Sequence, residues 1–130
     1  MIVYESQFVK IEYFEYTKQV IQRWESFISS ELFRDAIDRT VEFVRTHPVL
    51  SLVSDTQKQD VVRPEDAEYA ASVMPTLYKH GLKVMAFVIP ENVFTRLSLN
   101  KFANYSKDPN IEYFMTISEA NLWIEHRLKE

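Results

Sequence analysis

The chain has 130 residues, of which 46% are hydrophobic and 26% charged, and its formal net charge is −4. These values are typical of one globular domain, and we predict a single domain over residues 1–130. The acidic balance and the scattered basic residues argue against nonspecific nucleic-acid binding. Because the chain has no cysteine, disulfides, thiol catalysis and cysteine-ligated zinc are excluded.

The chain shows neither a signal-peptide pattern at its N-terminus nor an apolar stretch near the roughly 20 residues that span a bilayer. We therefore expect a cytoplasmic protein without a transmembrane segment.

The N-terminal residues predict an antiparallel hairpin. Residues 8–13 and 20–24 read as its two strands, separated by a short polar break, and residues 1–4 extend the first strand or add a short edge. The turn contains no glycine, although glycine is common in tight hairpin turns. Alternation in the first strand places three apolar side chains on one face: Val9, Ile11 and Tyr13.

Downstream, apolar strand-like runs alternate with helix-length amphipathic segments. The runs are residues 49–53, 84–89 and 111–117, and the central ones are apolar on both faces, as in parallel strands covered by helices. We therefore predict an α/β fold in which an N-terminal antiparallel hairpin is followed by parallel strands with crossover helices, all in one mixed sheet.

Local signals place the helix ends. Ser29 or Ser30 can cap the first helix, and Pro64 at a first helical position opens the second. Pro75 should kink or split that second helix, and Gly81 suits its C-terminus, where a positive φ is needed. The predicted inner side of this helix consists of Ala67, Ala70, Ala71, Met74, Leu77 and Tyr78. A third helix is predicted over residues 91–97, and Ser118 is the expected cap of the last.

No motif in the sequence indicates a reaction. With one glycine, the chain has neither standard phosphate-binding loop and no nucleophile elbow. Its three histidines fall on different predicted elements, without the spacing of metal ligands. We predict no catalytic residues, no metal site and no cofactor, and hence that the protein is not an enzyme.

Three polar residues are candidates for ligand or partner contact. Asp55, followed by Thr56, is predicted just past the carboxyl end of a central strand, where open α/β sheets bind ligands. The alternative is that Asp55 starts a loop by accepting hydrogen bonds from backbone amides. Arg63 stands where a helix cap is expected and could form an anion site with the free amides. Against this, Glu65 and Asp66 already supply negative charge there.

Aromatic residues crowd the predicted hairpin. Alternation places Phe14 and Tyr16 on the face opposite to Tyr13. Either the rings all belong to the core, or one face forms an exposed apolar patch of the kind that marks interfaces. Tyr13, Phe14 and Tyr16 are therefore the interface candidates.

The order of elements resembles the STAS fold of bacterial anti-sigma-factor antagonists, and within it the SpoIIAA-like group of small bacterial proteins. The resemblance covers nearly the whole chain, and it is carried by Trp24, Asp55 and residues 30–34, 64–66, 81–83, 86–90, 118–120 and 122–124. Classical antagonists have an Asp-Ser-Gly-type phosphorylation motif at the start of a helix. The corresponding residues 60–66 contain no serine, threonine or glycine, and the phosphorylation switch is not carried over.

The resemblance implies one of two functions. The first is a non-catalytic protein-interaction or regulatory module that binds a protein partner or forms a homodimer. The alternative is a domain that binds a small apolar ligand or lipid between the sheet and the second and third helices. Four apolar residues would line that pocket, although helix stripes usually form ordinary core: Met74, Phe87, Phe94 and Leu97.

Overall fold

The structure is a computed structural model that describes residues 1–60, 62–93 and 108–130. In these ranges one mixed sheet has the strand order β1-β2-β3-β4-β5-β6. β1 and β3 both pair antiparallel with β2, whereas β3 to β6 run parallel, which confirms the predicted α/β class. The strands are β1 (Ile2–Glu5), β2 (Val9–Phe14), β3 (Gln19–Ser26), β4 (Ser51–Gln59), β5 (Val84–Val88) and β6 (Ile111–Phe114).

Four helices connect and cover these strands within the described residues. They are α1 (Ser30–Thr46), α2 (Pro64–Ser72), α3 (Met74–Lys79) and α4 (Ile117–Leu128). Residues 91–93 are also helical, while the rest of the helix predicted over residues 91–97 lies outside the described part of the chain. None of the described helices is long and apolar enough to cross a membrane.

The β2–β3 hairpin turns without glycine because a non-glycine residue takes the left-handed conformation. Lys18 has φ 54°, a region that L-residues adopt at a modest cost when they occur singly. The strand register runs from Val9 opposite Trp24 to Phe14 opposite Gln19. The predicted hairpin is therefore present, with a short edge strand, β1, beside it.

β4 is longer than the sequence indicates. The apolar run ends at Val53, but the strand continues to Gln59, because β3 offers parallel partners as far as Ser26, which pairs with Gln59. Asp55 therefore lies inside β4, paired with Val88, and not beyond the strand end as predicted. Backbone pairing with β3 thus extends β4 beyond its apolar residues.

The second predicted helix is split, as Pro75 suggests. α2 ends at Ser72, Val73 separates the two helices, and Pro75 occupies the first turn of α3, where its missing N–H costs little. The predicted inner side is partly wrong, because Ala67 and Ala71 are exposed. The buried residue of α2 is instead a carboxylate, that of Asp66.

Two helix ends test the capping predictions. Ser29 caps α1 by accepting a hydrogen bond from Leu32 N at 3.3 Å. α4 is capped by Thr116, whose Oγ1 accepts from Glu119 N at 3.1 Å, so the predicted cap at Ser118 is wrong. The helix begins at Ile117, two residues earlier than a cap at Ser118 implies.

The sheet separates two apolar clusters. The larger one packs α1 and parts of α2 and α3 against the sheet, around Ile11, Trp24 and Leu52. The smaller one packs α4 against β4, β5 and β6. Among the described residues, no helix lies on one face of β1 and β2, so the two sides of the sheet differ in what covers them.

Candidate functional site

A small cavity lies between the sheet and the three helices α1, α2 and α3. Its volume is about 30 Å³, room for one or two water molecules. Apolar side chains from α1, α2, α3, β4 and β5 form most of its wall, and they include Val41, Leu52, Met74, Leu77 and Met85. Two polar residues, Gln22 and Thr40, complete the wall.

The polar end of the cavity is a buried pair of side chains. Gln22 and Thr40 are each 2% exposed. Gln22 Nε2 donates to Thr40 Oγ1 at 2.8 Å, and Thr40 Oγ1 donates to the carbonyl of Ala36 at 3.1 Å. Within the described residues nothing donates to Gln22 Oε1. The cavity is thus an apolar space with one vacant hydrogen-bond acceptor.

The predicted pocket residues are only partly brought together here. Met74 lines the cavity. Phe87 packs at the margin of the larger apolar cluster and stacks on Tyr113, with ring centroids 5.3 Å apart. Phe94 and Leu97 lie outside the described residues. The sequence missed Gln22, because nothing distinguishes this glutamine from the other polar residues of β3.

At the carboxyl half of β4, Asp55 and Thr56 make backbone contacts. Asp55 Oδ1 accepts a hydrogen bond from Gln57 N at 3.2 Å. Such a bond to a backbone amide is the alternative to ligand binding that the sequence indicates for this residue. Thr56 Oγ1 donates to the carbonyl of Val88 at 2.9 Å. Both side chains therefore shape the local backbone of β4 and β5.

Asp66 connects α2 to α1. Its carboxylate accepts from Ser30 Oγ at 2.7 Å and from Arg34 Nε at 3.1 Å. These hydrogen bonds hold the pKa of Asp66 below its ordinary value, the Ser30 bond most strongly, although burial acts in the opposite direction. The charge of Arg63 adds to the lowering. Asp66 is therefore ionised in the fold and acts as a tether.

Arg63 begins α2 without a side-chain cap, as the sequence indicates. Its guanidinium lies 5.7 Å from the ring centroid of Phe27 and donates to Ser30 Oγ at 3.4 Å. The nearby carboxylate of Asp66 already provides a negative charge for Arg34 and Arg63. The arrangement is thus a contact between helix ends, in which the chain's own carboxylate fills the role of an external anion.

A second polar contact joins α1 and α2. Tyr69 Oη donates a short hydrogen bond to Asp38, and Arg34 lies 4.9 Å from the ring centroid of Tyr69. Together with Asp66, this contact holds α2 over the cavity at its rim. Release of α2 therefore requires polar contacts to break as well as apolar ones.

The interface candidates of the hairpin separate by burial. Phe14 is 37% exposed and Tyr16 is fully exposed at 100%. Tyr13 is buried: its ring packs 4.8 Å from that of Phe43, and its hydroxyl donates to the carbonyl of Pro48 at 2.6 Å. Tyr13 therefore belongs to the core, because alternation turns it towards α1, and only Phe14 and Tyr16 are accessible.

Within the described ranges, no group of three or more His, Asp or Glu side chains is placed to hold a metal ion. His47 ends α1 and stacks on Phe43, with ring centroids 3.9 Å apart, and His80 ends α3. Both histidines thus lie at helix C-termini.

The fold has a solved counterpart, although the chain matches no protein-family model and no curated protein. It is similar to an uncharacterised protein of the DUF3478 family, with a SpoIIAA-like fold, from Shewanella loihica PV-4. The two share 14% sequence identity and a TM-score of 0.56, over 93% of this chain and 98% of the other. At this identity the likeness concerns the fold, and it confirms the resemblance: the chain has a SpoIIAA-like fold.

Proposed function

We propose that this protein is a non-catalytic binding domain that holds a small, mostly apolar molecule with one hydrogen-bond donor between the sheet and α1, α2 and α3. The observation that carries the proposal is Gln22, a buried amide on the wall of an apolar cavity whose Oε1 lacks a donor in the described part of the chain. A ligand donor placed beside this oxygen would form a hydrogen bond that the described side chains do not supply.

The walls favour an apolar body for the ligand. Ile37, Leu52 and Val73 contribute aliphatic surface, and burial of apolar surface yields about 25 cal/mol per Å². Met74 of α3 and Met85 of β5 also line the cavity, and unbranched methionine side chains adapt to irregular shapes. The polar groups of the wall are an amide and a hydroxyl, neither of which titrates, and this supports binding without acid–base chemistry.

The helices above the cavity are the part that would move. A cavity of about 30 Å³ is far below the roughly 300–1,000 Å³ of ordinary ligand sites. α2 and α3 have nine and six residues, shorter than the roughly 12–15 that form stable isolated helices. They meet at Val73, beside Pro75, and a ligand would enter by displacing this pair.

The test compares two probes that differ by one hydroxyl, p-cresol and toluene. Methionine methyl signals of the purified protein are followed by NMR during each titration. We expect the signals of Met74 and Met85 to shift, with p-cresol binding about two- to tenfold more tightly than toluene, as one hydrogen bond predicts. Gln22→Met should abolish that preference.

Gln7→Met, at an exposed position of the same residue type, is the matched control and should keep the preference. The proposal fails if neither probe shifts the two methyl signals, or if Gln22→Met discriminates between the probes as well as the wild type does.

A second candidate function is a protein-contact module of regulatory type, without a phosphorylatable residue in segment 60–66. The observation that favours it is the face of the hairpin that the described residues leave uncovered, where Phe14 is part-exposed and Tyr16 is fully exposed at the turn. A photoreactive phenylalanine analogue at position 14 tests it. Crosslinks to a defined protein surface would support the module, and their absence at every concentration would contradict it.

A further inference from the structure

On the side of the sheet that carries α4, the described part of the chain covers only about half of the strands. α4 packs against β4, β5 and β6, and the hydrogen bond from Gln19 Nε2 to Asn121 Oδ1 at 3.0 Å marks the border of its coverage. Beyond that border, the outward positions of β1 and β2 and the Arg23 end of β3 have no layer of described residues above them, whereas Gln19 and Ile21 of β3 are buried beside α4. The result is a step, with a helix on one half and open strands on the other.

Charges on the open half are ordered by the strand register. Glu5 on β1 is opposite Lys10 on β2, which is opposite Arg23 on β3. Glu12, two residues further along β2, is 3.9 Å from Lys10. The formal charges of these four side chains cancel, although the whole chain carries −4. These four charges therefore do not repel a second acidic copy of the chain, and Asp55 on β4, which pairs with Arg23, adds one carboxylate at the border of the face.

We infer that the open face binds a second copy of this chain about a two-fold axis parallel to β2. The inference deepens the second proposed function, on which it rests, by naming the partner. Such an axis lays β1 of one copy over β3 of the other and places Glu5 opposite the partner's Arg23, twice in the dimer. Phe14 then meets the partner's Phe14 on the axis.

The direction of the axis follows from α4. An axis across the strands would place the two α4 helices on top of each other, whereas an axis along β2 moves each helix beyond the partner's β1 edge. Packed sheets lie about 10 Å apart, which is close to the diameter of a helix. The partner's sheet therefore lies beside α4, at the same height above the first sheet as that helix.

The contact is self-complementary but small. Lys10 lies opposite the partner's Lys10 near the axis, and the neighbouring Glu12 carboxylate offsets its charge. A patch three strands wide covers about 14 Å across the strands, so the buried area is at the low end for specific interfaces. We therefore expect a dimer that dissociates on dilution.

Charge reversal gives a sharp test by sedimentation velocity between low micromolar and millimolar concentrations. Glu5→Arg and Arg23→Glu should each raise the dimer dissociation constant by about tenfold, because each sets like charges against each other twice. The double variant restores opposite charges and should recover the wild-type constant. Glu68→Arg, an exposed charge reversal on α2, should leave it unchanged.

Melting curves of the variants verify that they are folded, and Phe14→Glu provides a second disruption that does not depend on the charge pair. A wild-type chain that remains monomeric throughout, or a double variant that stays as weak as the single ones, would overturn the inference. If the chain is monomeric while position 14 crosslinks to another protein, the dimer is wrong and the protein-contact function stands. If position 14 forms no crosslink at all, both fail.

Discussion

Asp66 on α2 accepts a hydrogen bond from Ser30 Oγ on α1 at 2.7 Å, and this contact joins two helices that the chain connects only through β4. Asp66 is 3% exposed, so its charge is retained through its partners Ser30 and Arg34. The pairing fixes the position of α2 above the cavity beside the sheet, and its strength depends on the ionisation of one carboxyl group.

Acid should weaken this contact in a defined direction. The fold lowers the pKa of Asp66, so its stabilising contribution is complete above the ordinary pKa of an aspartate and is lost as the pH falls through the lowered value. We expect Asp66→Asn to lower the free energy of unfolding at neutral pH and to flatten its decline in acid. Urea unfolding at several pH values measures both effects.

Glu68→Gln is the control for this experiment, because Glu68 is exposed on the same helix. Its acid decline should match that of the wild type. An Asp66→Asn protein with an unchanged pH profile would show that the tether adds nothing to stability.

The cap of α4 distinguishes two neighbouring hydroxyl residues. Thr116 Oγ1 accepts from Glu119 N, so Thr116→Ala should destabilise the protein by about 0.5–2 kcal/mol. Ser118 is exposed inside the helix, and Ser118→Ala should change stability by no more than about 0.5 kcal/mol. Chemical denaturation of the two variants provides the comparison, and equal losses would contradict the assignment.

Gly81 tests backbone strain separately from steric contact. Its φ is +111°, and an added Cβ would have no neighbour within 4 Å. Gly81→Ala should therefore cost about 1–3 kcal/mol through its backbone conformation alone. Asn tolerates positive φ better than Ala, so Gly81→Asn should lose less. Thermal unfolding ranks the two variants, and the reverse order would refute this explanation.

Trp24 and Ser54 form a buried pair across β3 and β4. Trp24 Nε1 donates to Ser54 Oγ at 3.0 Å, and the Trp24 ring packs 5.0 Å from that of Phe33. Trp24→Phe should cost about 1–3 kcal/mol for the unpaired Ser54 hydroxyl, in addition to lost packing. Ser54→Ala leaves the indole N–H unpaired instead.

The two changes should therefore be non-additive. In a double-mutant cycle we expect the combined loss to be smaller than the sum by about 0.5–3 kcal/mol. Additive losses, measured by urea unfolding, would mean that this hydrogen bond contributes no coupling.

Local signals were reliable where a residue acts on its own backbone. Pro64 and Pro75 marked the start of α2 and the division from α3, and Gly81 marked a positive φ, because these residues restrict or permit φ without help from distant groups,. Hydrophobic alternation likewise placed Tyr13 and Phe14 on opposite faces of the hairpin. The fold class follows from such signals and from the order of the elements.

The sites depended on pairing between distant segments. β4 continues through its polar half because β3 provides backbone partners, and Asp66 is buried because Ser30 and Arg34, more than 30 positions away, receive its carboxylate. Gln22 borders a cavity that exists only after α1, α2 and α3 pack on the sheet. The sequence alone determined the order and type of most elements, since these reflect local backbone and amphipathic preferences. Only the tertiary structure decided which polar groups are buried, because burial is a property of the surfaces that meet.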